Sequence, residues 1–367
     1  MWGVVMVVLS TGRLSAGRLS TGRLSAGRLS ARPTVRMIAT STDKVAAAMR
    51  YVPLGSSGIQ VSSCCLGTMT WGSQNTDDEA FDQLERAWQS GVNFLDTAEG
   101  RFTWFREGGG PTRVSAAQII ESVDASLKRL NTDYIDLLQI HWPDRYVPIF
   151  GSPRYDATKV RVGEVTFEEQ VAAMGLLLKS GKIRAWGVSN ETPFGLCEFA
   201  RVCDAVGVQR PVSVQNSYSL LGRSDEIGMV EAMVRLGVTY LPYSPLSAGV
   251  LSGKYAGLKV APKGSRLSLF GGGSYFDRYE ASQAPSAVAE YTAIAAKHGL
   301  TPSAFAIAFC DARPFPISTI IGATSLAQLD DNLAGFAVKW TAEMEADCER
   351  VYAQYPDPWR MLVRDGG

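Results

Sequence analysis

From Arg50 onward, short apolar runs alternate with longer segments whose apolar residues recur every three or four positions. The pattern predicts strands at Val61–Thr68, Val92–Thr97, Tyr134–His141, Ala185–Ser189, Val212–Asn216, Tyr240–Ser244 and Thr319–Ala323. Each is bounded by Gly, Pro, Asn or Asp, as buried parallel strands tend to be. Between them lie helical segments at Asp77–Gln89, Ala116–Leu130, Thr166–Ser180, Pro193–Val206, Glu226–Leu236, Ser286–His298 and Leu326–Leu333. In the third of these, Val171, Met174, Leu177 and Leu178 fall on one face, the period of a helix covering a sheet. Repeated strand-then-helix with short connections argues for a parallel α/β fold. No G-x-G-x-x-G follows a strand, and Gly249-Val-Leu-Ser-Gly-Lys254 lacks Walker A spacing. A dinucleotide or P-loop fold is therefore disfavoured, and a barrel fits better. The strand count is one short of a full barrel's eight. The shortfall lies between Asp96 and Ala116, where a Gly-rich linker, Glu107-Gly-Gly-Gly-Pro111, runs straight into a helix.

The N-terminus follows a different rule. From Ser10 the pentad S-[TA]-G-R-L recurs four times, ending in Ser30-Ala-Arg-Pro33, and no acidic residue precedes Asp43. Arg13, Arg18, Arg23, Arg28, Arg32 and Arg36 return at near-regular spacing. An Arg- and Ser-rich, acid-free leader over residues 1–48 has the make-up of a plastid or mitochondrial transit peptide, standing disordered outside the barrel; low-complexity sequence is the alternative. Without such targeting the expected location is the cytoplasm. The apolar start, Trp2 to Leu9, is too short to span a bilayer and lacks a basic region before it. Residues 49–360 are then the barrel and 361–367 a tail.

Composition narrows the classes further. With 46% apolar and 20% charged residues in 367, the chain can bury a large core. Lys+Arg and Asp+Glu balance at 36 each, which offers no general attraction to nucleic acid or an anionic membrane. No apolar run is long enough for a transmembrane helix. The cysteines, Cys64, Cys65, Cys197, Cys203, Cys310 and Cys348, show no C-x-x-C spacing, and all but Cys348 lie in or beside apolar segments, as buried structural thiols do. No metal site is expected.

In a barrel enzyme, reactive groups sit at the C-terminal ends of strands. Those ends carry Asp96, His141, Ser189 with Asn190, Gln215 with Asn216, and Tyr243-Ser-Pro-Leu246. His141 is one of only two histidines. Its strand-end position before Trp-Pro-Asp144 suits a catalyst as well as a satisfied core residue. Asp96 reads equally as a turn cap, Tyr243 equally as core packing or a stacking floor. Trp71, Trp104 and Trp142 suit an aromatic-lined pocket or ordinary packing alike.

Several motifs, in order from about Arg50 to Trp359, carry a resemblance to a known family. They are Gly55-Ser-Ser-Gly58, Leu66-Gly-Thr-Met-Thr-Trp-Gly72, Asn93-Phe-Leu-Asp-Thr-Ala-Glu99, Ser126-Leu-Lys-Arg-Leu130, Asp133-Tyr-Ile-Asp136, Gln139-Ile-His-Trp-Pro-Asp-Arg145, Gly187-Val-Ser-Asn190, Tyr243-Ser-Pro-Leu246 and Ile321-Gly-Ala-Thr324. Together they resemble the aldo-keto reductases, closest to the branch of Tas-like reductases and potassium-channel β-subunits. The resemblance implies a (β/α)8 TIM-type barrel that binds NADPH without a Rossmann fold and reduces an aldehyde or ketone. It implies that Tyr243 lies under the nicotinamide ring and that Ser189, Asn190 and Gln215 hold its carboxamide. Ser244, Leu246 and the Ser247–Lys254 loop would wrap the pyrophosphate. Lys254 and Arg266 match positions near the 2′-phosphate, where cations favour NADP over NAD; read without the family they are solvated surface charge. Gln328, Asp331 and Asn332 match an adenine-side clamp. Asp96 and His141 are the matching catalytic residues.

The rest of the family's catalytic set is absent. Its acid is a tyrosine five residues after the aspartate, and that position is Arg101. No tyrosine lies between Asp96 and Tyr134, and the lysine in that interval, Lys128, belongs to the Ser126–Leu130 helix motif. Seven strands and the missing tyrosine and lysine have one explanation, loss of an α–β stretch (α2–β3 of the family barrel) after Glu99. Arg101 cannot replace the acid, since a guanidinium holds its proton too tightly to donate it near neutral pH; it can only polarise a carbonyl. Three readings follow: a weakened carbonyl reductase, a non-catalytic NADPH-binding or interaction protein, or a chain that does not fold stably. Oligomeric state is not legible.

Overall fold

The computed structural model describes residues 3–8, 49–98, 113–148, 154–256, 261–270, 279 and 282–358. The repeat leader from residue 9, Arg101, Trp104, the Glu107–Pro111 linker and the 361–367 tail lie outside the described residues.

The parallel strands are β4 (Cys64–Gly67), β5 (Phe94–Ala98), β6 (Ile135–Ile140), β7 (Ile183–Ser189), β8 (Ser213–Gln215), β9 (Thr239–Tyr240) and β10 (Thr319–Ile321). They alternate with α1 (Asp77–Gln89), α2 (Ala116–Leu130), α3 (Phe167–Lys179), α4 (Pro193–Val206) and α5 (Asp225–Leu236), then α6 (Arg266–Phe270), α7 (Ala284–Lys297) and α8 (Pro302–Asp311), with α9 (Leu326–Gly335) and α10 (Ala342–Gln354) after β10. Local chemistry sets the helix ends. Thr76 and Glu79 form a reciprocal capping box on α1. Thr192 caps α4, Pro193 opens it, and Gly207 at φ 70 closes it in the left-handed region. A hairpin of β2 (Tyr51–Pro53) and β3 (Gln60–Ser62) seals the N-terminal end of the barrel. There Gly55 N–H donates to Thr239 Oγ1, which donates to Pro53 O. A Cβ on Gly55 would lie 2.5 Å from Val212 O, so only glycine fits that approach.

The sheet has eight strands, not seven. Gly3–Val8, expected to stand outside the barrel, forms β1 between β5 and β6. It runs antiparallel to both: Val4 to Val8 pair with Ala98 to Phe94, and Gly3 to Met6 with Ile140 to Leu137. Its sequence, Gly-Val-Val-Met-Val-Val, is β-branched, uncharged and proline-free, as a centrally placed strand should be. The ring closes on the far side through Tyr240 N–H to Pro316 O, Ser318 N–H to Tyr240 O and Ile320 N–H to Pro242 O. β10 then pairs with β4.

Two boundaries moved, and one helix was not foreseen, for identifiable reasons. The expected Tyr240–Ser244 strand stops at Tyr240, because Pro242 has no N–H to continue the ladder. The expected Val61–Thr68 strand breaks at Ser63, whose N–H turns to Arg50 O while its carbonyl accepts Thr319 N–H. Helix α8 was not expected; Ser303 through Cys310 are all buried, so no polar face marks the helical period. Among the cysteines, Cys348 is buried like most of the rest, and Cys197 on α4 is the exposed one.

Candidate active site

Parallel strands deliver their last residues to one face of the ring. Asp96 lies in β5 level with Gly67 of β4 and with Met6 of β1. Its side chain is buried, and Gln215 Nε2 donates to its Oδ1 at 3.2 Å. Burial pushes the Asp96 pKa up to about 6 against the partial relief of that hydrogen bond. No cation pairs with it among the described residues.

From Gln215 a hydrogen-bonded chain crosses three strand ends. Ser189 Oγ donates to Gln215 O at 2.8 Å and reaches Gln215 Oε1 at 3.4 Å. Asn190 Nδ2 donates to Ser189 Oγ at 3.2 Å and to His141 O at 2.9 Å. Tyr243 O–H donates to Asn190 Oδ1 at 2.6 Å. Asn190 itself has φ 55, a left-handed conformation that asparagine tolerates better than most residues. The His141 ring stacks on Trp142 with centroids 5.2 Å apart. Asp96, Gln215, Ser189, Asn190, Tyr243 and the His141 backbone are therefore one connected set.

The loop after Tyr243 is the second part of the site. Ser244, Ser247, Ala248, Gly249 and Gly253 all have positive φ, with Ser247, Ala248 and Gly249 consecutive. The run is a tight, self-bonded turn: Ser247 N–H donates to Ser244 O, and Gly249 and Leu251 N–H both donate to Leu246 O. Non-glycine residues in this region each cost about 1–3 kcal/mol, and clusters of them mark functional loops. Ser247 is tied down by Ser219, Oγ to Oγ at 2.7 Å. Leu246 packs between two core clusters. Exposed Lys254 folds back over the loop: a Cβ on Gly249 would lie 2.9 Å from its Nζ. Arg266 is anchored on Met69, Nη2 to Sδ at 3.4 Å. The loop thus brings a lysine, over backbone held in a tight turn, beside the strand-end set that ends at Tyr243.

The residues expected at an adenine-side clamp stand apart from this chain. Gln328 Oε1 accepts from Thr324 N–H and Oγ1–H. Asp331 accepts from Thr301, the cap of α8, at 2.5 Å. Buried Asn332 donates to Gly322 O at 3.1 Å and fixes the turn from β10 into α9. Each has a structural task, and no hydrogen bond joins them to Lys254 or Arg266 among the described residues.

The sequence reading missed what Asp144 and Arg145 do. Asp144 is buried and receives a two-pronged Arg113 guanidinium at 2.9 and 2.7 Å, plus Val114 and Val165 N–H. Burial raises its pKa, but those donors outweigh the burial and hold it below the usual carboxylate range. It thereby moors the chain entering α2 and the loop before α3. Arg145 pairs with buried Glu191, next to Asn190, and lies over the Phe167 ring. Trp71 donates to Gln83 of α1 at 3.2 Å and so serves packing. Among the described residues, three potential metal donors meet at His298, Glu343 and Asp347, but Lys297 Nζ already bridges both carboxylates at 2.8 Å.

Residues 102–353 match the sequence profile of the Aldo/keto reductase family. The chain belongs to that family. It is 36% identical to Protein tas of Escherichia coli (strain K12) over 349 aligned positions, covering 84% of this chain and 99% of that protein. It is 39% identical to an aldo-keto reductase of Babesia bovis over 271 positions, covering 71% of this chain and 94% of the relative. A probable voltage-gated potassium channel subunit beta of Arabidopsis thaliana is 30% identical over 315 positions, covering 78% and 90%. Membership makes the protein an oxidoreductase-family barrel of the kind that uses NAD(P)H.

Proposed function

We propose that this aldo-keto reductase binds NADPH and reduces small aldehydes or ketones, with turnover lowered by several orders of magnitude. The single observation carrying the binding half is the hydrogen-bonded set Gln215–Ser189–Asn190–Tyr243 leading into the positive-φ loop and Lys254. When bound, the nicotinamide supplies hydride to the carbonyl carbon. Tyr243 offers its ring as the floor, while Ser189, Asn190 and Gln215 fix the carboxamide. Ser244 and Leu246 with the following loop hold the pyrophosphate. Lys254 and Arg266 favour the 2′-phosphate and hence NADP over NAD. Gln328, Asp331 and Asn332 close on the adenine end. His141 orients the carbonyl.

The chemical half is weakened because the proton donor is gone. The position five after Asp96 is Arg101, and Gly3–Val8, which fills the neighbouring strand position, contains no titratable side chain. Loss of a stretch also fits the alignment with tas, whose 349 positions exceed 84% of a 367-residue chain. The same observation favours a second reading, an NADPH-binding protein without turnover. Titration of the full-length protein with NADPH, read by fluorescence, followed by a panel of aldehydes, separates the readings. Binding with slow turnover supports reduced catalysis, and binding without turnover supports the second. Absence of NADPH binding overturns both. Substituting Lys254 and Arg266 by Ala should raise the NADPH Kd about 10-fold or more and leave NADH unchanged.

A further inference from the structure

We infer that Gly3–Val8 is a working part of the barrel, a reversed strand that holds the Asp96 and His141 strands one strand apart, so the protein functions with its N-terminal segment retained. The catalytic weight of Asp96 and His141 rests on the proposed function; the strand's place does not.

The two strands it separates are those that carry the catalytic candidates. Asp96 is in β5, His141 follows β6, and β1 stands between them. Met6 is level with Asp96 on one side, and Gly3 is level with Ile140, the residue before His141, on the other. Adjacent strands lie about 4.8 Å apart, so β1 sets a separation of about 10 Å between the Asp96 and His141 strands. Without it, Phe94–Ala98 and Ile135–Ile140 each present an unpaired edge inside the ring. Buried backbone groups left without partners cost about 1–3 kcal/mol each, and open edges recruit other chains.

The reversed direction is what lets the segment serve. A parallel strand inserted here would need its own crossover connection, usually a helix. An antiparallel strand supplied from the N-terminal side of β2 needs only a long link to it, and residues 9–48 provide the length. β5, α2 and β6 then form a crossover that steps over one strand. The slot suits an extended apolar, β-branched segment, which Gly-Val-Val-Met-Val-Val is. A leader excised on import would take this strand away.

The register gives a direct test in the full chain. Val5 lies opposite Thr97 of β5 and opposite Leu138 of β6. Opposed antiparallel residues have Cα separations of about 4.5–5.5 Å, within disulfide reach. In a Cys197→Ser background, Val5→Cys is combined with Thr97→Cys, with Leu138→Cys, or with Leu95→Cys two residues out of register. After mild oxidation, mass mapping should find intramolecular links in the first two and none in the third. Failure of both in-register pairs, or links found only in covalent dimers, overturns the assignment. The intact mass of protein recovered from its own cells should include Gly3–Val8; a mature chain starting near Met49 overturns retention. Neither readout requires cofactor binding or turnover, so failure of the proposed function is seen separately.

Discussion

Asp96 is the residue at which the missing partner has the clearest energetic signature. Its pKa rises from an ordinary 3.8 to about 6 because burial strips water from the carboxylate and, among the described residues, the Gln215 hydrogen bond compensates only in part. The native state therefore binds a proton that the unfolded chain has released between these values. Stability contributed by the protonated form is complete below pH 4 and is lost as pH rises through 6, by at most about 3 kcal/mol. Asp96→Asn keeps an acceptor for Gln215 and removes the titration. Its stability relative to the parent, from urea midpoints, should grow between pH 4 and pH 8 by up to that amount. A difference that stays constant across that range would mean a cation outside the described residues pairs with Asp96.

At the scale of elements, packing between helices is tighter than the alternation of apolar runs discloses. Gly335 ends α9 against α8: a Cβ there would lie 2.8 Å from Ile307 Cβ and Cγ2, and 2.9 Å from Ala304 O. Backbone cannot retreat as a flexible side-chain tip can, so Gly335→Ala should cost about 1–3 kcal/mol, read as a lower Tm. An unchanged Tm would show that the two helices slide apart freely. These contacts also mark where sequence legibility ends. The strands that bear Asp96, Ser189 and Gln215 were readable because turn residues bracket short apolar runs. Helix α8 was not, since a helix buried on every side has no period to read. Asp144 and Arg145 were visible as motif residues, but their anchoring partners, Arg113 and Glu191, lie 31 and 46 residues away in the chain. β1 was visible only as an apolar start. Nothing local in a six-residue strand names the edges it joins, and the repeat that follows drew the whole segment into the leader.

For the molecule as a whole, the proposed site divides into a proposed cofactor side built by β7, β8, β9 and the loop after Tyr243, and a proposed substrate side built by β5, β1 and β6. The first is held by strands paired in sequence order and by the helices between them. The second depends on a strand whose link to the rest is 40 residues of low-complexity chain, 9–48. Deleting residues 1–48 should therefore loosen one side before the other. Amide hydrogen exchange in Phe94–Ala98 and Ile135–Ile140 should accelerate strongly, since both strands lose a hydrogen-bonded neighbour, while Ile183–Ser189 stays protected. The exposed edges should also drive concentration-dependent association. Such a protein would keep the hydrogen bonds from Ser189 through Tyr243 but lose the fixed spacing between Asp96 and His141. Equal exchange in all three strands, with or without the deletion, would mean that β5 and β6 pair with each other once β1 is gone, and that seven strands are enough to close this barrel.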